Sequence, residues 1–319
     1  MTRCPDDLMN LIFCGTPRFA VPTLEKLVNE DFAIQLVVTN PDEPAGRGYP
    51  MRSSPIKQAA EKAAIPVFQP RNLKESASRE YLSRYRPDAV VVIAYGHIIP
   101  PWMIELPRLG CVNLHASLLP KYRGAAPIPR AIIRGDPVTG VTTMQIDAGL
   151  DTGAILLQRE VEIRDDDTTE TLSVRLSDLG ADLMVETLRG LESGEVHSRP
   201  QDARAATLAP ILKKEDGRID WSMTAEDIAR RVRGLRPWPG AFTTFRGVNI
   251  HLWSAMPSSC AAPSKSGVGV MISEAQKLTV VCGEQTVLQV TELQLAGRNR
   301  VSARDFLNGV RLKPGERLG

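Results

Sequence analysis

Between residues 11 and 115, short apolar runs alternate with stretches of helical spacing, and this alternation constrains the fold more than any other feature. Leu11-Ile12-Phe13-Cys14 ends at Gly15, the pattern of a buried strand entering a turn. Phe19, Leu24 and Leu27 then mark a helix, and Ile34 to Val38 a second strand. Asn40 to Pro55 reads as a long loop rich in Pro, Gly and Arg. Helices are expected over Ile56–Ala64 and Ser76–Tyr85, with a short helical turn at Trp102–Leu106. Pro66-Val67-Phe68, Ala89–Ile93, Cys111–His115, Thr139–Gln145 and Ala154–Ile163 read as strands. Leu recurs at near-helical spacing from Leu172 to Leu191, a long helix that closes the region. The expected fold is α/β, a doubly wound, mostly parallel sheet of Rossmann-like type.

The texture then changes. Ser193 to Ala209 is polar, with Gly, Ser and Pro and little periodicity, and reads as a linker. Beyond it a helix is expected at Ala225–Val232. Short β-like runs follow at Ala241–Phe245, Asn249–Trp253, Gly267–Ile272, Leu278–Cys282 and Thr286–Leu295, and a terminal helix around Leu307. Short strands broken by turns suggest a small barrel. A chain of 319 residues accommodates two domains, here 1–192 and 210–319, joined by 193–209.

Charge divides the same way. Residues 201–319 carry 17 Lys+Arg against 11 Asp+Glu, whereas the first 200 carry 22 against 26. A basic C-terminal part points to a polyanionic partner. Cys4, Cys14, Cys111, Cys260 and Cys282 are odd in number and widely spaced, which suggests neither a zinc site nor a disulfide framework. No metal is expected. The polar N-terminus lacks an apolar targeting segment, and the longest apolar run, Ala89–Tyr95, is too short to cross a bilayer. A cytoplasmic protein is expected, with no membrane association and no obligate protein partner.

Three segments carry chemistry. In Asn113-Leu114-His115, at a strand end, residues 113 and 115 share a face, with Cα atoms roughly 7 Å apart. An amide donor and an imidazole can therefore converge on one small group, beyond the carboxyl end of a strand where α/β sheets bind ligands. Ser117 to Gly124 is too irregular for a helix and too apolar for an ordinary exposed loop, and can wall a pocket for a flat ring. Gly149-Leu150-Asp151-Thr152-Gly153 brings one carboxylate in on a tightly folded backbone. Singly, an Asn or His at a strand end is ordinarily a loop cap, and an Asp beside Gly is ordinarily a turn. Their joint occurrence in this order is what carries weight.

Together, Asn113-Leu114-His115, Ser117-Leu118-Leu119-Pro120 and Gly149 to Gly153 resemble the motifs of the folate-dependent formyltransferases. The resemblance implies a catalytic trio at Asn113, His115 and Asp151, and a tetrahydrofolate site that includes Ser117, Leu118, Leu119 and Pro120. Further segments resemble the methionyl-tRNA branch of the family: Phe13 to Pro17 with Phe19-Ala20, Pro41-Asp42 and Pro44 to Gly48, Ala94-Tyr95-Gly96 with Ile99-Pro100, Tyr122 to Pro127, Arg218 to Trp221 and Pro237-Trp238-Pro239. From these the resemblance implies folate contacts at Tyr95, Gly96 and Ile98. It implies tRNA contacts at Arg47, Arg52 and Lys57 in the 40–55 loop. The second domain then resembles an OB-like barrel, with Lys213, Lys214 and Arg233, in the Arg230/Arg231/Arg233/Arg236 group, facing phosphates. Glu43 and Tyr49-Pro50 make the loop less basic than the family pattern, so its share of tRNA binding is expected to be smaller.

The implied reaction moves a formyl group from 10-formyltetrahydrofolate to the α-amine of initiator methionyl-tRNA. Attack on the formyl carbon creates an oxyanion, which Asn113 would stabilise as a neutral donor. His115 could donate or carry a proton near neutrality, and Asp151 would orient it or hold a bridging water, and assist proton transfer to the leaving nitrogen. The trio is equally compatible with a small amine substrate, such as glycinamide ribonucleotide or an amino sugar nucleotide. Phe13 to Pro17 lacks G-x-G-x-x-G, which weakens a dinucleotide-binding reading, and a non-catalytic RNA-binding module would not need the trio.

Overall fold

The computed structural model describes residues 8–44, 51–263 and 266–319, and the chain resolves into two compact units. The first comprises residues 1–124, 139–161 and 173–208, and the second 125–138, 162–172 and 209–319.

The elements of the α/β part are β1 (Asn10–Gly15), α1 (Val21–Asn29), β2 (Ala33–Val38), β3 (Glu43–Pro44), β4 (Met51–Arg52), α2 (Pro55–Lys62), β5 (Val67–Phe68), α3 (Ser76–Leu82), β6 (Ala89–Ile93), α4 (Pro101–Ile104), β7 (Cys111–His115), α5 (Pro127–Arg134), β8 (Val138–Gln145), β9 (Ile155–Glu162) and α6 (Thr169–Ser193). Seven strands form one sheet in the order β5-β2-β1-β6-β7-β8-β9. The first five are parallel, and β8 joins β7 antiparallel. β6 is buried along its whole length, as suits a central parallel strand covered on both faces. One face packs Ile12, Cys14, Leu36, Val38, Val90, Val92 and Met103. On the other, Leu114 packs against Gly180 of α6, where a Cβ would stand 2.5 Å from the leucine.

Local chemistry places several boundaries. Ser54 caps α2 by accepting from the Lys57 amide, and Pro55 stands in its first turn. The 40–55 stretch is closed by a two-residue ladder pairing Glu43 with Arg52 and Pro44 with Met51, which sequence periodicity could not reveal. Helix α5 was not expected either, because Pro127 and Pro129 stand in an eight-residue segment. Both fall in the first turn, where amide hydrogens have no intrahelical partner, so their absence costs nothing.

The second unit continues with α7 (Ala225–Gly234), β10 (Ala241–Phe245), β11 (Val248–Ser258), β12 (Met271–Glu274), β13 (Lys277–Val281), β14 (Val287–Leu295), β15 (Val301–Ser302) and α8 (Ala303–Gly309). The strands form an antiparallel sheet ordered β10-β11-β14-β13-β12, with β15 on β14. β12 starts later than its sequence suggests because Gly269 takes φ +80°. Burial alternates along β10, so one sheet face packs Ile250, Leu252, Leu288 and Leu293 against Ile228 and Val232 of α7 and Phe306 of α8. Each such side chain contributes roughly 1.5–3 kcal/mol. Within this unit α5 packs on α7, where Gly234 lies close to Ile133. Among the described residues no helix is long and apolar enough to cross a membrane.

Candidate active site

Because β1, β2, β6 and β7 are parallel, their carboxyl ends line one edge of the sheet. The loops after β6 and β7 emerge there. His115, the last residue of β7, is buried, and its Nε2 lies 2.9 Å from the Tyr122 carbonyl oxygen. A carbonyl can only accept, so Nε2 carries the proton and Nδ1 faces the other way. Nδ1 lies 3.7 Å from Asp151 Oδ2. The same carboxylate oxygen accepts from the Gly124 amide at 2.7 Å.

Asp151 reaches this position through an indirect route. Strand β8 ends opposite Val112, and the Ile146 amide bonds to the Cys111 carbonyl, four residues before His115. The loop therefore doubles back by roughly 13 Å along β7, at about 3.3 Å per residue. Gly153 permits the fold, since a Cβ there would stand 1.7 Å from the Gln145 carbonyl oxygen. Asp147 accepts from the Gly149 amide and the Thr152 hydroxyl, and Asp151 itself adopts φ +52°.

Asn113 lies on the face opposite Leu114, and so on the same face as His115. Its side chain is half-buried and makes no hydrogen bond among the described residues. Its amide thus presents donors and an acceptor beside the His115–Asp151 pair.

The loop after β7 is held from behind. Thr142, opposite His115 on β8, donates to the Ser117 carbonyl at 2.6 Å and accepts from the Leu119 amide at 3.1 Å. Gln158 on β9 donates to the Leu119 carbonyl and to Thr142 Oγ1. The Ser117 hydroxyl bonds to the Lys121 carbonyl, and Leu119 packs with Met144 and Ile155. Ser117 and Leu119 are therefore turned into the protein, while Leu118 and Pro120 are half-exposed. On the β6 side, Tyr95 is buried, which pushes its phenol well above the usual range, and Gly96 and Ile98 are exposed. Ala94 and Gly96 both take positive φ, and the Tyr95 carbonyl accepts from Thr16.

The cations separate into classes. Arg47 lies outside the described residues. Arg52 is exposed on β4, and Lys213 and Lys214 are exposed in the second unit. Lys57 is bound to Asp42 at 2.6 Å, and that contact together with Gln69 holds the Asp42 carboxyl below its usual range. Arg233 is half-buried and donates to the Asp167 carbonyl at 2.7 Å. Arg230 pairs with Glu226 and Asp227, and Arg236 with Glu170. Like charges seen in sequence thus differ in what they have left to offer a phosphate.

Sequence reasoning missed Thr142, Gln158, Gln201, the Tyr122 carbonyl and the Gly124 amide. Polar residues on an edge hairpin, or in a polar stretch, carry no local signal of the loop they hold.

The formyl transferase family matches residues 9–188, and its C-terminal domain matches residues 211–311. A methionyl-tRNA formyltransferase of Koribacter versatilis is 52% identical over 98% of this chain and 99% of its own length. The chain belongs to the methionyl-tRNA formyltransferase family. Solved structures outside that branch share the fold. An N-formyltransferase from Helicobacter canadensis, in complex with folinic acid and dTDP-3-aminofucose, superposes with a TM-score of 0.68 at 17% identity, covering 89% of this chain and 99% of its own. HypX from Aquifex aeolicus in complex with tetrahydrofolic acid superposes with a TM-score of 0.62 at 16% identity, covering 94% of this chain and 47% of its own. Membership in this family fits the position of the Asn113, His115 and Asp151 cluster at the carboxyl edge of a parallel sheet.

Proposed function

We propose that the chain transfers the formyl group of 10-formyltetrahydrofolate to the α-amine of initiator methionyl-tRNA, in the cytoplasm, as part of translation initiation. The observation that carries the reading is the His115–Asp151 pair on the strand face that also carries the Asn113 amide, which makes no hydrogen bond among the described residues. Full-length similarity to methionyl-tRNA formyltransferases supports the choice of substrate.

Asn113, His115 and Asp151 are the proposed catalytic residues. The amine attacks the formyl carbon, and the Asn113 amide donates to the oxyanion, an interaction worth about 10²–10³ in rate for one well-placed donor. With Nε2–H committed to Tyr122, His115 turns its Nδ1 toward Asp151. This carboxylate and ring nitrogen, 3.7 Å apart, are placed to take up the proton that the attacking amine must lose as its nitrogen gains positive charge. The proton passes through this pair to N10 of the folate as the carbon–N10 bond breaks, giving the formamide and tetrahydrofolate.

The folate is read as lying between Tyr95–Ile98 and Ser117–Pro120. The exposed turn with positive φ at Ala94 and Gly96 lets main chain approach a flat ring. The Asn40 side chain stands near Gly96, and its Oδ1, buried without a partner among the described residues, could accept from the N–H edge of that ring. Catalysis is assigned to residues 1–192 and the tRNA platform to residues 210–319, whose antiparallel sheet is read as OB-like. Lys213, Lys214, Arg52 and Arg47 are the proposed phosphate contacts, with Lys57 and Arg233 in supporting positions.

The test is formyl transfer from 10-formyltetrahydrofolate to initiator Met-tRNA, to glycinamide ribonucleotide and to an amino sugar nucleotide, each followed by mass. Transfer to Met-tRNA alone is expected. Turnover of a small amine with none on Met-tRNA would overturn the substrate assignment.

A further inference from the structure

Residues 193–209 look like a linker in sequence, yet part of this stretch is bonded into the first unit at the candidate site. Arg199 exchanges both backbone hydrogen bonds with Ile155 at 2.8 Å. Thr207 accepts from the Arg123 amide through its carbonyl and from the Tyr122 amide through its hydroxyl, both at 2.8 Å. The Thr207 amide returns a bond to the Pro120 carbonyl. Between these anchors stands Gln201. Its amide nitrogen donates to the Asp151 carbonyl at 2.9 Å and to the Gly153 carbonyl at 2.7 Å. Its amide oxygen accepts from Arg123 Nε at 3.1 Å and Nη2 at 2.7 Å.

One side chain therefore ties the loop that carries Asp151 to the loop that supplies both hydrogen-bond partners of the pair, the Tyr122 carbonyl to His115 and the Gly124 amide to Asp151. Asp151 sits at φ +52°, a conformation an L-residue does not hold by preference, so its carboxylate direction depends on such ties. We infer that Gln201 is a positioning residue for formyl transfer, setting the Asp151 carboxylate against His115 through the Asp151 main chain and Arg123. It touches no reacting atom in this scheme. Segment 199–208 acts as a strap across the two catalytic loops, and the inference rests on the proposed roles of His115 and Asp151.

The test is a double-mutant cycle in the full chain, with formyl transfer to Met-tRNA as readout. Gln201→Met keeps the bulk and removes both halves of the bridge. In the native background kcat should fall about tenfold to a hundredfold, since a displacement near 1 Å can cost about a hundredfold. KM for the folate should change less than threefold (about). In an Asp151→Asn background the same substitution should lower kcat by less than about threefold, while its shift in urea midpoint is the same in both backgrounds. A purely structural residue would give equal kinetic losses in both backgrounds, and that result overturns the inference. So does unchanged kcat in folded Gln201→Met. Should Gln201→Met not fold, the same cycle on Gln201→Glu decides, because Glu keeps the acceptor for Arg123 and turns the two donations to the Asp151 and Gly153 carbonyls into repulsion between oxygens. Absence of formyl transfer by the unmodified chain would instead refute the proposed function.

Discussion

Replacing Thr142 by Val tests whether the loop after β7 is held in a binding-competent shape from behind. Thr142 is fully buried and its hydroxyl makes three hydrogen bonds: to the Ser117 carbonyl, from the Leu119 amide and from Gln158. Valine has the same shape, so little cavity forms. The Ser117 carbonyl and the Leu119 amide lose partners in a buried setting, whereas Gln158 keeps its bond to the Leu119 carbonyl. At about 1 kcal/mol for each neutral hydrogen bond the loss is about 3 kcal/mol, offset by about 0.8 kcal/mol for the added apolar group. A net cost near 2 kcal/mol lowers Tm by roughly 4–8 °C for a unit of this size. If about half of that falls on the bound form of the loop, KM for the formyl donor rises about fivefold. Thr142→Ser, which keeps the hydroxyl, should recover most of both effects. Calorimetry and steady-state kinetics on the three proteins decide the matter. A Thr142→Val protein with native Tm and native KM would refute the claim that these bonds set the loop.

Asn113→Ala, His115→Ala and Asp151→Asn should each lower kcat by at least about a hundredfold without unfolding the chain, and their losses should not add because they act on one transition state. Near-normal turnover by folded Asp151→Asn would remove it from the mechanism. Alanine at Lys213 and Lys214 should reduce the salt dependence of kcat/KM for Met-tRNA by about one log–log unit per phosphate contact, leaving folate KM unchanged, and Arg47→Ala should do so more weakly. Lys57→Ala should mainly destabilise, since it removes the cation paired with Asp42 and leaves that carboxylate only its bonds from Gln69 and Ser53; an equal loss of salt dependence would contradict this. Of the four described cysteines only Cys260 is exposed, so it should react with a thiol reagent at pH 8 while Cys14, Cys111 and Cys282 stay protected until the chain unfolds. Burial pushes Cys111 and Cys282 up to about 12, so the folded state cannot ionise thiols that the unfolded state can. Their contribution to stability is full below about pH 8.5 and is lost progressively as pH rises toward 12, a slope that urea titrations from pH 8 to 10 should resolve.

Much of the fold was legible because it rests on short-range patterns. The β-branched run at Ala89–Ile93, the Leu spacing in α6 and the alternation in β10 each report burial, and burial is written locally as apolar periodicity. The same logic failed at α5, where two prolines look like breakers until they are placed in a first turn. Asn113 and His115 were expected on one face because strand geometry alone requires it. The residue types of the candidate site were therefore readable from sequence.

What sequence could not determine is how distant segments meet. Asp151 leaves β8 far from His115 and returns only because its loop doubles back, a path that no local pattern encodes. Lys57 and Lys213 carry the same charge, yet one is bound to Asp42 and the other is exposed, because pairing depends on neighbours brought in by the fold. Gln201 sits in a polar stretch without periodicity, and its hydrogen bonds to Arg123, Asp151 and Gly153 exist only where three loops cross. Apolar periodicity is a property of consecutive residues and survives in one dimension. Hydrogen-bond partnership is a property of positions in space, so the tertiary structure alone decided which polar groups work together.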